Sequence, residues 1–284
     1  MATTFTVDTN EQLIEKLQTI QTKNINCGET NMDYLLLNFD ANMICNDDQT
    51  RGIYNAVVID PDTRKLMAIG PSKSNTLQKF KSLYGSVITN ANIVNVLEMV
   101  EGLFFQLFWD ERIKKWEIST RNSIGGNYSY YRMPHVESQT YRNMICESMN
   151  LELTQDINDW DKLDLLDKNY CYHFVVQHPK NHMVWNIQTP ALYMIGAFEL
   201  HFNNVTNQIR YVQMKELESV FTDGTVLFPK KHQIQNMMKY EDVVKKYVSI
   251  QEPSSRMGIV IQHLHTGDTA IVMNPSYEEL QKLR

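Results

Sequence analysis

The segment Leu103 to Thr120, LFFQLFWDERIKKWEIST, constrains the fold most. Two apolar runs rich in aromatic and β-branched residues, Leu103 to Trp109 and Trp116 to Thr120, flank the charged turn DERIKK, which is the pattern of an antiparallel hairpin. The same pattern recurs. YCYHFVVQH and HMVWNI predict a second hairpin around PKN, GAFELHF and IRYVQM a third around NNVTN, and GIVIQHL with TAIVM a late pair. Upstream, DYLLLNF, GIYNAVVID and KLMAIG read as short strands, with Asp60-Pro61-Asp62 as a turn. Helical patterns fall between them: NEQLIEKLQTIQ, with Leu13, Ile14, Leu17 and Ile20 at helical spacing, NTLQKFKSLY, SQTYRNMICESMN, DWDKLDLLDK, and the region Lys215 to Val248 broken by DGTVLFPKK. Hairpins interleaved with single helices predict an α+β fold of antiparallel sheets flanked by helices. No internal repeat or Gly/Ser- or Pro-rich linker marks a boundary, so residues 1–284 are expected to form a single domain. Residues 1–50 supply an N-terminal helix and strand, and residues 51–284 the core.

No segment reaches the roughly 18 uninterrupted apolar residues that a membrane span needs. The N-terminus MATTFTVDTNEQLIEKL also lacks the basic and apolar regions of a signal peptide, so the chain reads as soluble, intracellular and without a membrane partner. Cys27, Cys45, Cys146 and Cys171 are scattered, with neither a CxxC pair nor zinc-ligand spacing, which predicts reduced thiols and no zinc site. A formal net charge of −6 argues against broad, salt-driven nucleic-acid binding and leaves room for a local basic groove.

The head of the first hairpin is more specific. Glu101 and Gly102 precede the apolar run, and no lysine lies between Lys81 and Lys114 or between Lys246 and Lys282. MVEGLFFQLFWDERIKKWEISTR is similar to the Lys-x-Asp-Gly nucleophile motif, with its following Thr-Arg or Thr-Lys, of the covalent nucleotidyltransferases. TRGIYNAVVIDPDTRKLMAIGPSKSNTLQKF resembles their arginine-glycine strand and lysine-bearing loop, and YCYHFVVQHPKNHMVW the segment carrying their metal-site glutamate. MGIVI resembles Glu-Gly-x-Val, and AIVMNPSY resembles Lys-x-Lys-Asn-Pro-x-Tyr. From about Arg51 to the C-terminus, this order most closely resembles the phage and large-DNA-virus RNA ligases. The resemblance implies a nucleotidyltransferase domain (RNA-ligase/ATP-grasp-like), a viral origin, and a location in the host cytoplasm or viral factory. The chain reaches only Arg284, so little room is expected for the C-terminal domain of the phage ligases.

In that family a lysine amine attacks the α-phosphorus of a nucleoside triphosphate. Carboxylates hold a divalent ion, and late lysines stabilise phosphate charge in the transition state. Carried over residue by residue, the resemblance places the nucleophile on Met99 and the motif acid and glycine on Glu101 and Gly102. The metal-site glutamate falls on Val175, the glutamate before Gly258 on Met257, and the two late lysines on Ile271 and Met273. Apart from Glu101, each charged catalytic position has become apolar, an exchange that removes the desolvation cost of buried charge. It predicts a largely apolar former pocket.

Arg51, Lys73, Thr120 and Arg121 match family positions near phosphate or nucleotide, and stand either as a residual anion site or as solvated and paired surface groups. GGNYSYYR, with Tyr128, Tyr130, Tyr131 and Arg132, reads as a single-strand stacking platform or as an ordinary strand and turn. FPKKHQ reads as a phosphate contact or a solvated surface. His263 with His265, and His173 with His178 and His182, read as metal ligands or as the polar faces of strands, and no metal site is expected. Trp109, Trp116 and Trp185 are expected in strands of the core, and QNMMKYEDVV as a packed helix or contact surface.

The expectation is thus a pseudoenzyme without a cofactor, binding an RNA 5′ end or cap, or a nucleotide, without turnover. Two alternatives stand beside it. One is an assembly subunit using the ligase fold as a scaffold for a protein partner. The other is a working enzyme with a relocated lysine, Lys73 or Lys114.

Overall fold

The computed structural model describes residues 4–7, 23–24, 33–38, 55–129, 139–152, 154–181, 184–203, 206–248 and 256–283. Its strands are β1 (Thr4–Val7), β2 (Lys23–Asn24), β3 (Leu35–Leu37), β4 (Val57–Ile59), β5 (Leu66–Ala68), β6 (Val87–Ile88), β7 (Val94–Glu98), β8 (Leu103–Asp110), β9 (Lys115–Thr120), β10 (Tyr170–Gln177), β11 (Ala191–Phe202), β12 (Asn207–Tyr211), β13 (Met238–Lys239), β14 (Gly258–His263) and β15 (Thr269–Met273). The helices are α1 (Leu77–Tyr84), α2 (Tyr141–Ser148), α3 (Met214–Glu218), α4 (Tyr240–Tyr247) and α5 (Pro275–Lys282). The fold is α+β, and its strand pairs within the sheets are antiparallel, as the hairpin pattern predicts.

A six-stranded sheet in the order β1, β12, β11, β10, β8, β9 forms the backbone of the molecule. Along β8 and β10 the residues at alternate positions face opposite ways. Phe105, Leu107, Tyr172, Phe174 and Val176 turn to one side and pack against Ile145 of α2, Trp160 and Phe221 in the largest core. Strands β3 to β5 of the four-stranded sheet are buried on both faces. Leu35, Leu37, Val57 and Ile59 meet Phe198, Ile209 and Tyr211, while Leu36, Val58 and Met67 cluster with Phe108 and Cys171. In the third sheet, β14 lies between β15 and β7, and Val94, Val96, Ile259, Ile261 and Ala270 pack on Phe80 of α1 and on Tyr240 and Val243 of α4.

Local chemistry fixes the helix starts. Thr76 caps α1 by accepting from the Lys79 amide, and Asn274 caps α5 by accepting from the Ser276 amide with Pro275 next in line. Asp60 accepts from the Asp62 amide and the Thr63 hydroxyl, closing the turn between β4 and β5.

Two expectations are corrected. β10 pairs with Ala191–Phe202 from Tyr170↔Glu199 to Gln177↔Ala191, not with HMVWNI, because the longer apolar run offers a ladder along the whole strand. DWDKLDLLDK does not make one α-helix. It holds the second of two short 3-10 turns, Ile157–Asp159 and Leu163–Leu165, the first closed by Asp156 capping the Asn158 amide. FPKKH runs extended beside β7, with the Glu98 amide donating to the Lys230 carbonyl and the His232 amide to that of Val96. The helix expected over NEQLIEKLQTIQ lies outside the described residues, as do Cys27, Cys45, Arg51, Tyr130, Tyr131, Arg132 and His182. Cys146 and Cys171 are buried free thiols, the latter pushed up to about 12 by burial. Among the described residues no helix is long and apolar enough to cross a membrane.

Candidate functional site

A cleft of about 270 Å³ opens where the three-stranded sheet meets the six-stranded one. Met99, Met257 and Gly258 line it from the first, and Gln177 and Tyr193 from β10 and β11 of the second. The ladder of β7 and β14 continues one step past Glu98: the Met99 amide donates to the Gly258 carbonyl at 2.9 Å. Gly258 in turn sits opposite Met273, and the Asn274 amide donates to the Met257 carbonyl at 2.9 Å. Backbone pairing therefore gathers Met99, Met257 and Met273 at one corner.

Register orders the remaining motif positions. Leu97, Val260 and Ile271 are cross-strand partners, so they share the face opposite the Val96 and Ile259 core, and Met273 lies on it two residues from Ile271. Val175 stands opposite Phe104 and Tyr193 and two residues before Gln177, on the sheet face that forms the cleft wall. It is 6% exposed, so an acid there would be desolvated.

Both motif glycines are steric necessities. At Gly102, with φ +154°, a Cβ would lie 2.9 Å from the Val176 carbonyl carbon and 2.7 Å from Cγ1 of Val175. At Gly258, with φ +150°, it would lie 2.9 Å from Cα of Met273. Only a hydrogen lets each chain pass so close to its neighbour.

Glu101 is turned inward, 4% exposed. Its carboxylate accepts from the Val184 amide at 3.1 Å, the Trp185 amide at 3.3 Å and the Tyr277 hydroxyl at 2.8 Å. The motif acid thus anchors α5 and the loop that carries Trp185. Trp185 itself is 43% exposed on the cleft wall, in no strand and outside the core where the sequence put it, because its amide is held by a carboxylate rather than a ladder.

The cleft is not largely apolar. Met99, Val100, Met257 and Trp185 share its lining with Glu98, Lys230, His232 and Arg256, because the extended FPKKH segment and the approach to β14 deliver polar side chains where the motif strands deliver aliphatic ones. A divalent ion does not fit this donor set. Among the described residues Glu98 is its one carboxylate, and one of that carboxylate's oxygens accepts from the Lys230 amide at 2.8 Å. Among the described residues no group of three His, Cys, Asp or Glu side chains converges.

The candidate anion residues are dispersed. Lys73 is exposed ahead of α1, in the segment where Asn75 bridges to Ala270, and does not line the cleft. Thr120 is 1% exposed with its hydroxyl donating to the Ser123 carbonyl at 3.2 Å, so it is built into the turn after β9. Arg121 is exposed, and its carbonyl accepts from the Asn38 side chain. Lys114 pairs with Glu111 on the exposed β8/β9 turn. Among the described residues the cleft amine is Lys230, in a segment whose two lysines and histidine read in sequence as solvated surface more readily than as a phosphate contact.

Among the described residues the histidines form no group of metal-ligand type. His173 is buried against the Ile69 carbonyl at 2.7 Å, while His178 bonds Glu147 at 2.8 Å. His263 stacks on Tyr84 at 4.1 Å and meets His265 edge-on, and burial with the neighbouring imidazole lowers its pKa. Tyr128 packs on Tyr141. Trp109 and Trp116 meet edge-on near the main core.

No family model and no curated protein matches the sequence. Solved structures do match. An RNA ligase of Naegleria gruberi, as a mutant with ATP and manganese, superposes with a TM-score of 0.52 at 12% identity over 76% of this chain and 58% of the ligase chain. An apo mutant of that ligase gives a TM-score of 0.51 at 12% identity over 76% and 58%, and the ligase with pyrophosphate 0.51 at 12% over 76% and 59%. The chain thus spans less than two thirds of the ligase it matches. At this identity the likeness concerns architecture, and the architecture is that of an RNA-ligase-like nucleotidyltransferase fold.

Proposed function

We propose that the protein is a catalytically inactive RNA-ligase-like domain that binds a nucleotide or an RNA 5′ end in its cleft without covalent turnover. The observation that carries this reading is Met99. The motif resemblance puts the nucleophile at this residue, which lines the cleft with its amide on the Gly258 carbonyl, and its thioether cannot form a phosphoramidate. Val175 and Met257 supply no carboxylate for a metal, and Ile271 and Met273 no cation at the positions the resemblance gives to the late lysines. The reading places the protein in the cytoplasm or viral factory of an infected host, following the resemblance of its motif order to large-DNA-virus ligases.

The test is incubation with labelled ATP or GTP and magnesium or manganese, followed by a denaturing gel and intact mass. The expected result is an unmodified protein; a mononucleotide adduct overturns the reading, and Lys230→Ala then tells whether the cleft amine carries it. The assembly-scaffold alternative is favoured by the exposed Trp185 and by the net charge of −6. It predicts a stoichiometric protein partner and no thermal shift from nucleotides.

A further inference from the structure

Lys230 and His232 reach the cleft together for a backbone reason. Their segment pairs with β7 like an added edge strand: Glu98 donates its amide to the Lys230 carbonyl at 2.9 Å, the Lys230 amide returns to the Glu98 carboxylate at 2.8 Å, and Leu97 bridges Lys231. Alternation along an extended chain then sends residues 230 and 232 one way and 231 the other, and only the first two line the cleft. None of these residues occupies a position that the ligase motifs assign.

Flat groups accompany the cations. His232 stacks on Tyr247 of α4 at 4.2 Å, with the Lys246 ammonium 5.0 Å over the Tyr247 ring. Trp185 presents an indole to the same space from a loop whose amides are fixed on buried Glu101. An aromatic side chain left 43% exposed on a pinned backbone beside lysine and arginine offers a planar face and anion contacts at once. At about 270 Å³, near the lower end of small-molecule sites, the cleft has room for one nucleotide unit rather than a strand track.

We propose that this cleft binds a nucleoside 5′-phosphate group, with Lys230 and Arg256 on the phosphate and Trp185 stacked on the base. The inference rests on the non-covalent reading above and names its ligand chemistry and contacts, which come from segments outside the old motif positions. A free nucleotide and the 5′-phosphorylated end of an RNA share that chemistry.

The experiment is titration of the full chain with ATP, AMP, adenosine and a 5′-phosphorylated or 5′-hydroxyl RNA oligonucleotide, read by tryptophan fluorescence and calorimetry. Lys230→Ala and Trp185→Ala are each expected to weaken binding of the phosphorylated ligands about tenfold or more, and Lys231→Ala to leave it unchanged. Adenosine and the 5′-hydroxyl RNA are expected to bind at least about tenfold more weakly than their phosphorylated counterparts. Preference for ATP over the phosphorylated RNA, or the reverse, identifies the source. Circular dichroism and melting confirm that each variant folds, and Lys230→Gln repeats the charge removal with a larger side chain. Binding that is intact in the folded Lys230 and Trp185 variants overturns these contacts and leaves the non-covalent reading standing. A wild-type chain that binds none of the ligands overturns both.

Discussion

The Tyr277 hydroxyl donates to the Glu101 carboxylate at 2.8 Å, so the last helix and the head of the β8 hairpin share one buried charge. Two backbone amides also donate to it. A carboxylate so enclosed is stable only while its donors remain. Glu101→Ala should cost about 2–4 kcal/mol and Tyr277→Phe about 1.5–3 kcal/mol in urea unfolding. The double variant should lose well under the sum, with coupling of at least about 1 kcal/mol. Additive losses would show that the two groups act separately.

Space and backbone angle can be separated at the glycines. Gly102 and Gly258 face neighbouring backbone, whereas Gly224, at φ +76°, has nothing within 4 Å of a built Cβ. Gly224→Ala should therefore cost only about 1 kcal/mol for its left-handed backbone. Gly102→Ala and Gly258→Ala should cost about 3 kcal/mol or more, because a strand must also move. Equal melting-temperature losses at all three would refute the steric account.

These glycines also explain what was legible in the sequence. A hairpin announces itself by alternation and turn chemistry within some twenty residues, so β8 with β9 and β14 with β15 were readable locally. The acid and glycine at 101–102 were readable because they sit beside such a run. The partner of β10 was not, since HMVWNI lies nearer in sequence than the Ala191–Phe202 run that wins by length. Nor was the composition of the cleft. Lys230 enters it through pairing across 132 residues with Glu98, and Trp185 through a carboxylate 84 residues away. No periodicity carries contacts of that kind. The one available signal was an indole in a segment with interrupted alternation.

His173 predicts a pH dependence. The imidazole is 3% exposed, and burial lowers its pKa from an ordinary 6.5 to about 4, against the opposing bond to the Ile69 carbonyl. Between those values the unfolded chain binds a proton that the native protein refuses. Stability is therefore full above pH 6.5 and falls as pH drops toward 4, by at most about 3 kcal/mol from this group. Urea midpoints of wild type and His173→Gln across pH 4–7 should converge toward the acid end. Parallel profiles would mean that His173 titrates in the native state much as in the unfolded chain.

Returning the amine alone should not return the reaction. Met99→Lys puts an ammonium beside Glu98 in a cleft that already holds Lys230 and Arg256. The neighbouring cations lower its pKa in the useful direction, yet an amine needs more than deprotonation to displace pyrophosphate. The leaving group requires charge stabilisation that Ile271 and Met273 do not give, and no carboxylate pair replaces Val175 and Met257 to hold a metal. The expected outcome is no covalent nucleotide by intact mass after incubation with ATP or GTP and either divalent ion. Non-covalent nucleotide affinity should rise severalfold from the added cation, and the fold should lose about 1 kcal/mol from half-burying it. An adduct on residue 99 would show that the amine was the one missing part, and that the aliphatic replacements at 175, 257, 271 and 273 do not by themselves prevent nucleotidyl transfer.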